Sequence, residues 1–219
     1  MEERVAVTDL VEPATYRGFL ARSDGPALVF LAGHLATLAL TGWLVHASLA
    51  TWWLPLAWFV HGTVLVHLFA PLHECTHYTA FRARRLNDAV AWLAGLAIVL
   101  SPTFFRLEHR AHHAHTNDEE DDPELIALPA SVWGYLWYLS TVPYWAGLVH
   151  NMVDHARGRF NATERTFLNE KQQREVAVRA RWMWAFYAAV AAVSLATGSW
   201  AALTWWLIPR LAGEPWMRV

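Results

Sequence analysis

Long apolar runs separated by short polar links dominate the chain. Ala27–His46 and Trp52–Ala70 each approach the ~20 apolar residues that a helix needs to cross a bilayer core. The uncharged link "ASLAT" between them predicts a tight hairpin. Ala89–Leu100 is apolar but only 12 residues long, too short to span, and reads as an interfacial or re-entrant segment. Ser131–Val149 is long enough, but it is rich in Trp and Tyr and holds Pro143. It reads as an aromatic segment lying at the membrane interface. The chain is then polar to Arg181 and ends that stretch in the helix-favouring "NEKQQREVAVRARW". Trp182–Thr197 and Trp200–Ile208, separated by Gly198-Ser199, predict a second hairpin with a short last helix. The predicted fold is therefore all-α and polytopic: two transmembrane hairpins, about four spans, with interfacial helices between them, in one membrane domain over residues 1–219.

The cations sharpen this layout. Arg17 and Arg22 precede the first span, and Arg82, Arg84 and Arg85 follow the second. Arg157, Arg159, Lys171, Arg174, Arg179 and Arg181 precede the third, and Arg210 and Arg218 follow the fourth. With two hairpins they share one side, which the positive-inside rule places in the cytoplasm together with the N-terminus. Composition agrees: 16% of residues are charged, against ~25% in soluble domains, and there are 14 tryptophans, a residue favoured at membrane–water interfaces. The net charge of −2 argues against nucleic acid as a partner. The single cysteine, Cys75, excludes an internal disulfide. The first 26 residues lack the apolar core of a cleaved signal peptide.

The candidate chemistry lies in the histidines. "HECTH" places His73 and His77 four apart, on one helical face. "HRAHH" places His109, His112 and His113 at i, i+3 and i+4, again on one face. Both clusters sit just outside apolar segments, with the 12-residue stretch between them. Its folding back would let five imidazoles converge on metal. "HECTH" also spells the zinc-protease motif, in which His73 and His77 bind zinc and Glu74 acts as base. That reading gives the second cluster no role as a set, because one catalytic zinc takes three protein ligands. A soluble di-iron pattern of paired Glu-x-x-His finds one pair, Glu74 and His77, but Ala111 stands where Glu108 would need a histidine. His34, His46, His61 and His67, in or at the ends of the spans, are expected to hydrogen-bond to neighbouring helices. "DEEDD" (Asp118–Asp122) reads as a solvated acidic run, with orientation of the second histidine cluster or of arginines as its alternative, and Cys75 reads as packing.

"HECTH" and "HRAHH", followed by "TNDEEDDPEL", resemble the first two histidine boxes of the membrane fatty acid desaturase superfamily. The two-hairpin layout resembles it too, from about Leu28 to the C-terminus. The resemblance implies a di-iron oxidoreductase that uses O2 to introduce a double bond, or a hydroxyl, into a lipid acyl chain. Its electrons would come from a ferredoxin- or cytochrome-type donor, at the inner membrane of a bacterium. It also implies that His73, His77, His109, His112 and His113 are iron ligands. Glu74 and Glu108 then become supports that fix imidazole tautomers. Members of the superfamily carry a third box, H-x-x-H-H, and nothing after His113 matches it. His150 and His155 are five apart, about 140° round a helix, and do not substitute for it. The expectation is a chain truncated before its third box. The alternatives are a membrane zinc protease or a catalytically incomplete metal-binding remnant.

Overall fold

The computed structural model describes residues 10–218, so the first nine residues of the charged N-terminal stretch, and Val219, lie outside the described residues. All regular elements among the described residues are helical. α1 (Pro13–Phe19) leads into α2 (Asp24–Ser48), which at 25 residues runs about 37 Å and is long enough to cross a bilayer. It is apolar all round and leaves Val29, Phe30, Leu40 and Trp43 exposed, as a lipid-facing span must. α3 (Leu54–Val66) and α4 (Phe69–Thr76) follow after the hairpin and together form the second candidate span. Cβ-less Gly62 lets α3 approach the last helix closely: a Cβ there would collide with the Pro209 carbonyl.

α5 (Arg84–Ile98) and α6 (Pro102–His115) meet at a 102° bend. The short apolar run is one leg of that bend, as its length predicts. The corner has local causes. Val99 takes a left-handed φ of 62°, Ser101 caps α6 by accepting from the Phe104 N–H, and Pro102 starts it. A Cβ on Gly95 would sit 2.5 Å from the Leu100 carbonyl oxygen, so only glycine lets the two legs close.

The last turn of α5 leaves carbonyls without helical partners, and in a membrane each such group is expensive. Side chains from the C-terminal part of the chain supply the donors. The Tyr187 hydroxyl donates to Leu96 O (3.2 Å), Trp206 Nε1 to Ala97 O (2.6 Å), and Arg210 Nε to Ile98 O (3.0 Å). Several tryptophans are thus interior fasteners rather than interface anchors. Trp58 Nε1 donates to Thr204 O, Trp205 Nε1 to Gly42 O, and Trp184 Nε1 to Met152 O.

The aromatic stretch does not form one long helix. It divides into α7 (Val132–Leu139) and α8 (Val142–Ala156) at Thr141, whose φ is 60°. After α9 (Ala162–Phe167), the charged stretch and the third apolar run prove to be one helix, α10 (Glu170–Thr197). A reciprocal Asn169–Gln172 cap opens it and left-handed Gly198 ends it. After Gly198 the chain turns back into a helical run over 201–218 that passes through a π turn (Leu203–Leu207) into α11 (Ile208–Gly213). By length and apolar composition three helices can cross a membrane, or four if the bent α5–α6 pair counts as one span. Arg210, expected on the water side, is 3% exposed, ion-paired with Glu214 and placed over the Trp145 ring. The close α3–α11 contact holds it inside.

Two of the four intramembrane histidines bond to neighbouring helices as expected: His61 meets Thr41 Oγ1 at 2.8 Å and Trp205 O at 3.1 Å, and His34 meets Val64 O at 3.0 Å. His67 instead meets the carbonyl of Thr63 in its own helix at 2.7 Å. His46 stacks on Trp205.

The role of the corner donors is testable. Trp206→Phe keeps the ring's packing but strands the Ala97 carbonyl, so it should cost about 1–3 kcal/mol. Trp182→Phe, at a side chain 65% exposed, should cost nothing measurable. Thermal unfolding in detergent compares the two.

Candidate metal centre

α4 carries His73 and ends on His77, while α6 carries His109, His112 and His113. The bend turns α6 back across α4, with Leu72, Phe105, Ile98 and partly buried Phe69 packed between them. Four of the five rings converge. Centroids are 4.8 Å apart for His73–His77, 4.6 Å for His73–His109, 5.0 Å for His77–His113 and 4.5 Å for His109–His113. His112 stacks beside His109 at 5.5 Å.

Nitrogen positions say more than ring positions. His109 Nε2 lies 2.9 Å from His73 Nε2 and 3.1 Å from His113 Nε2. One ligand nitrogen from each of His73, His77 and His109 falls within 4.8 Å of the others. Behind the cluster, carboxylates hold the far nitrogens. Glu124 accepts from His109 Nδ1 at 3.0 and 3.1 Å, Asp122 from His112 Nδ1 at 2.8 Å, and Glu74 from His73 Nδ1 at 3.2 Å. An Nδ1–H so committed leaves Nε2 with its lone pair. Several lone pairs aimed at one spot repel unless a cation lies among them. Imidazole nitrogens bind such metals at about 2.0–2.1 Å, and two ligands at right angles would then stand about 3 Å apart. The donor set fits a metal.

Protonation agrees. Burial, and then the neighbouring His73, His109 and His113, lower the pKa of His77. Burial also lowers that of His109, against the opposing pull of Glu124. Both rings therefore stay neutral at physiological pH, the state that ligates.

The two carboxylates singled out from sequence part company. Glu74 takes the supporting position behind His73, exposed and away from the Nε2 convergence. A protease base would stand in front of the metal, beside its bound water, whereas this carboxylate lies against His73 Nδ1. Glu108 makes no hydrogen bond to a histidine of its own cluster among the described contacts. It adjoins His109 in sequence but lies about 100° round α6 from it. Glu108 instead lines a cavity of about 590 Å³ with Phe104, Phe105, Ile98, Leu100, Met152 and Glu124. Burial, and then Glu124 and Glu164, push its pKa up to about 8.

Glu124 escaped the sequence reading, and Asp122, read mainly as part of a solvated run, takes the run's alternative role of orienting a box-two histidine. Asp122 also accepts from the backbone N–H of Asn117 (2.9 Å) and of Glu124 (3.0 Å), so it folds the loop that delivers Glu124 to His109. Burial opposes its ionisation, but these bonds and the one to His112 outweigh it and hold the carboxyl below its usual range. The spacing HRAHH-x8-D-x-E was the available signal. His155 is buried and committed to Glu164 at 2.8 Å, outside the cluster.

Two outcomes follow. Glu124→Gln should weaken metal binding by about 10–100-fold, whereas Glu108→Gln should leave it unchanged in cobalt or iron titrations of the purified protein. Metal held at neutral pH should be released on acidification below the ordinary imidazole value of about 6.5, because protonation of His77 and His109 removes their lone pairs. Metal retention measured against pH checks the sign.

The fatty acid desaturase family profile matches residues 50–219. Over 204 residues the chain is 29% identical to an sn-1 oleoyl-lipid 12-desaturase of Picosynechococcus sp., covering 84% of this chain and 54% of that protein. It is 28% identical to an sn-1 oleoyl-lipid 12-desaturase of Anabaena variabilis, covering 78% and 50%. It is 26% identical, over 47% of this chain and 29% of the relative, to an sn-1 acyl-lipid omega-3 desaturase (ferredoxin) of Synechocystis sp.. The chain spans about half the length of the first two. With 170 residues under the profile and both histidine boxes gathered into one cluster, the chain belongs to the fatty acid desaturase family.

Proposed function

We propose that this protein introduces a double bond into an acyl chain of a membrane lipid, with O2 as oxidant and a ferredoxin-type carrier as electron donor. The observation that carries the reading is the convergence of His73, His77, His109 and His113, braced by carboxylates, beside a largely apolar cavity. His73, His77, His109, His112 and His113 are the proposed holders of two irons. Bound iron would activate O2 for attack on an unactivated C–H bond. Removing two hydrogens from the chain while reducing O2 to two waters takes in two electrons and two protons, which is why a carrier is required.

The chain's own residues prepare this site. Phe105 stacks on His109 at 5.0 Å and Phe69 lies 5.8 Å from His73, so the cluster's inner wall excludes water. The 590 Å³ cavity touches that wall through Phe69, Phe105 and Glu124, and Val66, Ile98, Leu100 and Met152 give it an apolar lining suited to methylenes. The raised pKa of Glu108 keeps that carboxyl neutral near pH 7, so it puts no charge beside an acyl chain. A larger cavity, about 910 Å³, lies between α2 and α4 and is lined by Glu74; none of the five histidines lines either cavity, and the smaller one adjoins the cluster through Phe105 and Glu124. The same reading puts the protein in a bacterial inner membrane, with its N-terminus and histidine boxes towards the cytoplasm.

Fatty-acid profiling of cells expressing the protein tests this, together with metal analysis of the purified chain. New unsaturated acyl chains, lost with His109→Ala, and two irons per chain are expected. One zinc per chain with no iron, and peptide cleavage abolished by Glu74→Gln, would overturn it.

A further inference from the structure

The peptide bond after His77 leads to an unusual arrangement. Tyr78 takes a φ of 59°, in the left-handed region that a bulky residue occupies only when its surroundings insist. Two guanidiniums lie over its ring, Arg84 at 4.4 Å and Arg106 at 4.2 Å from the centroid. Asp88 neutralises one of them, pairing with Arg106 at 2.9 Å and accepting from the Tyr78 hydroxyl at 3.2 Å. Arg84 has no carboxylate partner among the described residues, nor have the exposed Arg82 and Arg85 beside it. The Arg106 Nε is buried and unpaired. A polar groove of about 410 Å³ adjoins the stack, lined by Tyr78, Trp92, Thr103, Arg106 and Arg179 with the acids Asp88 and Glu175.

Two contrasts say what this face meets. From residue 77 to residue 92 no large apolar side chain is exposed while Arg82, Arg84 and Arg85 are, unlike α2 with its Val29, Phe30 and Trp43, so this segment presents charge rather than an acyl-facing surface. The loop at the other end of the histidine cluster carries exposed Asp118, Glu119, Glu120 and Asp121. An anionic partner is repelled from that loop and drawn to the arginines, so the two charge patches orient its approach.

We propose that the Arg84–Tyr78–Arg106 stack, with Arg82 and Arg85, is the docking surface for an acidic one-electron carrier protein. The inference rests on the desaturase reading, which requires external electrons. Each visit oxidises the carrier's reduced cluster by one electron and reduces the protein's metal centre by one. O2 is the final oxidant, and the protons come from water. Tyr78, bonded directly to the His77 backbone, places the docked carrier one residue from a proposed ligand. The carrier's carboxylates would pair with arginines that have no partner within the chain.

The test is a binding measurement, independent of turnover and of metal loading. The protein is placed in neutral-lipid nanodiscs and titrated with an oxidised acidic [2Fe–2S] ferredoxin. Binding is expected at low ionic strength and should weaken as the Debye length falls from about 30 Å at 0.01 M salt to about 8 Å at 0.15 M. The double reversal Arg84→Glu/Arg85→Glu should weaken it about tenfold or more, and Arg84→Lys/Arg85→Lys should restore most of it. Equal affinity of the reversal variant and the parent protein would overturn the proposal. So would absence of binding at low salt, or a reversal that abolishes only adhesion to anionic vesicles, which would assign the arginines to lipid headgroups. Loss of ferredoxin binding with unchanged iron content and unchanged reduction by dithionite would separate docking from the metal site. Failure of docking would leave the lipid-profiling result to judge the desaturase reading alone.

Discussion

The corner between α5 and α6 is the constraint on which the rest depends. Two histidine clusters separated by an apolar stretch can meet only if the chain reverses sharply, and a sharp reversal frees backbone carbonyls in a place where water is scarce. Gly95 supplies the room and Ser101 and Pro102 restart the helix. Tyr187, Trp206 and Arg210 supply the missing donors from about ninety to over a hundred residues away. The C-terminal helices are therefore part of the histidine cluster's scaffold although they carry none of the five clustered histidines. Burying Arg210 with its ion-pair partner Glu214 is tolerable because the guanidinium also satisfies Ile98 O and lies over Trp145.

What was legible in the sequence is what periodicity encodes. The spacing of four in "HECTH", and of three and four in "HRAHH", fixes which rings share a face whatever the surrounding fold. Helix lengths follow from apolar runs in the same way, so the first two spans stand near their expected bounds. Glu74 and Glu108 each adjoin a histidine in sequence, a rotation of about 100° on a helix, yet only Glu74 reaches its neighbour's Nδ1 while Glu108 lines a cavity, so adjacency alone did not say which would meet a ring. Glu124 was illegible, and Asp122 could not be told from its acidic neighbours, because their direction is set by loop hydrogen bonds, Asn117 and Glu124 N–H to Asp122, that no period announces. The run after Gly198 was legible as a helix by composition, but not its partner: the close approach of Gly62 to Pro209 and Gly213 packs it against α3.

Charge is distributed to suit two opposite demands. Behind the imidazoles sit carboxylates, which raise ligand basicity and hold tautomers. They make the box-two end of the cluster acidic, with Asp118–Asp121 extending that character to the surface. The box-one end is cationic, since Arg82, Arg84 and Arg85 lie within eight residues after His77 and Arg106 of α6 stacks on Tyr78. In the desaturase reading the first arrangement serves the metal and the second serves the protein that reduces it. A positive-inside signal and a docking signal can be the same residues, because both require cations at the water-facing end of a span.

The fate of Glu74 shows how little a short motif fixes by itself. In a zinc protease the glutamate of H-E-x-x-H must face the metal, so that its carboxylate can take a proton from bound water. Here α4 ends at Thr76 with His77 as its cap, and α6 lies across the face where the nitrogens meet. Glu74 occupies the other side, against His73 Nδ1, and its carboxylate fixes which nitrogen of His73 carries the proton. The same five letters thus give a base or a brace according to which face of the helix the second histidine cluster covers. That choice is made by a corner some twenty residues further along the chain.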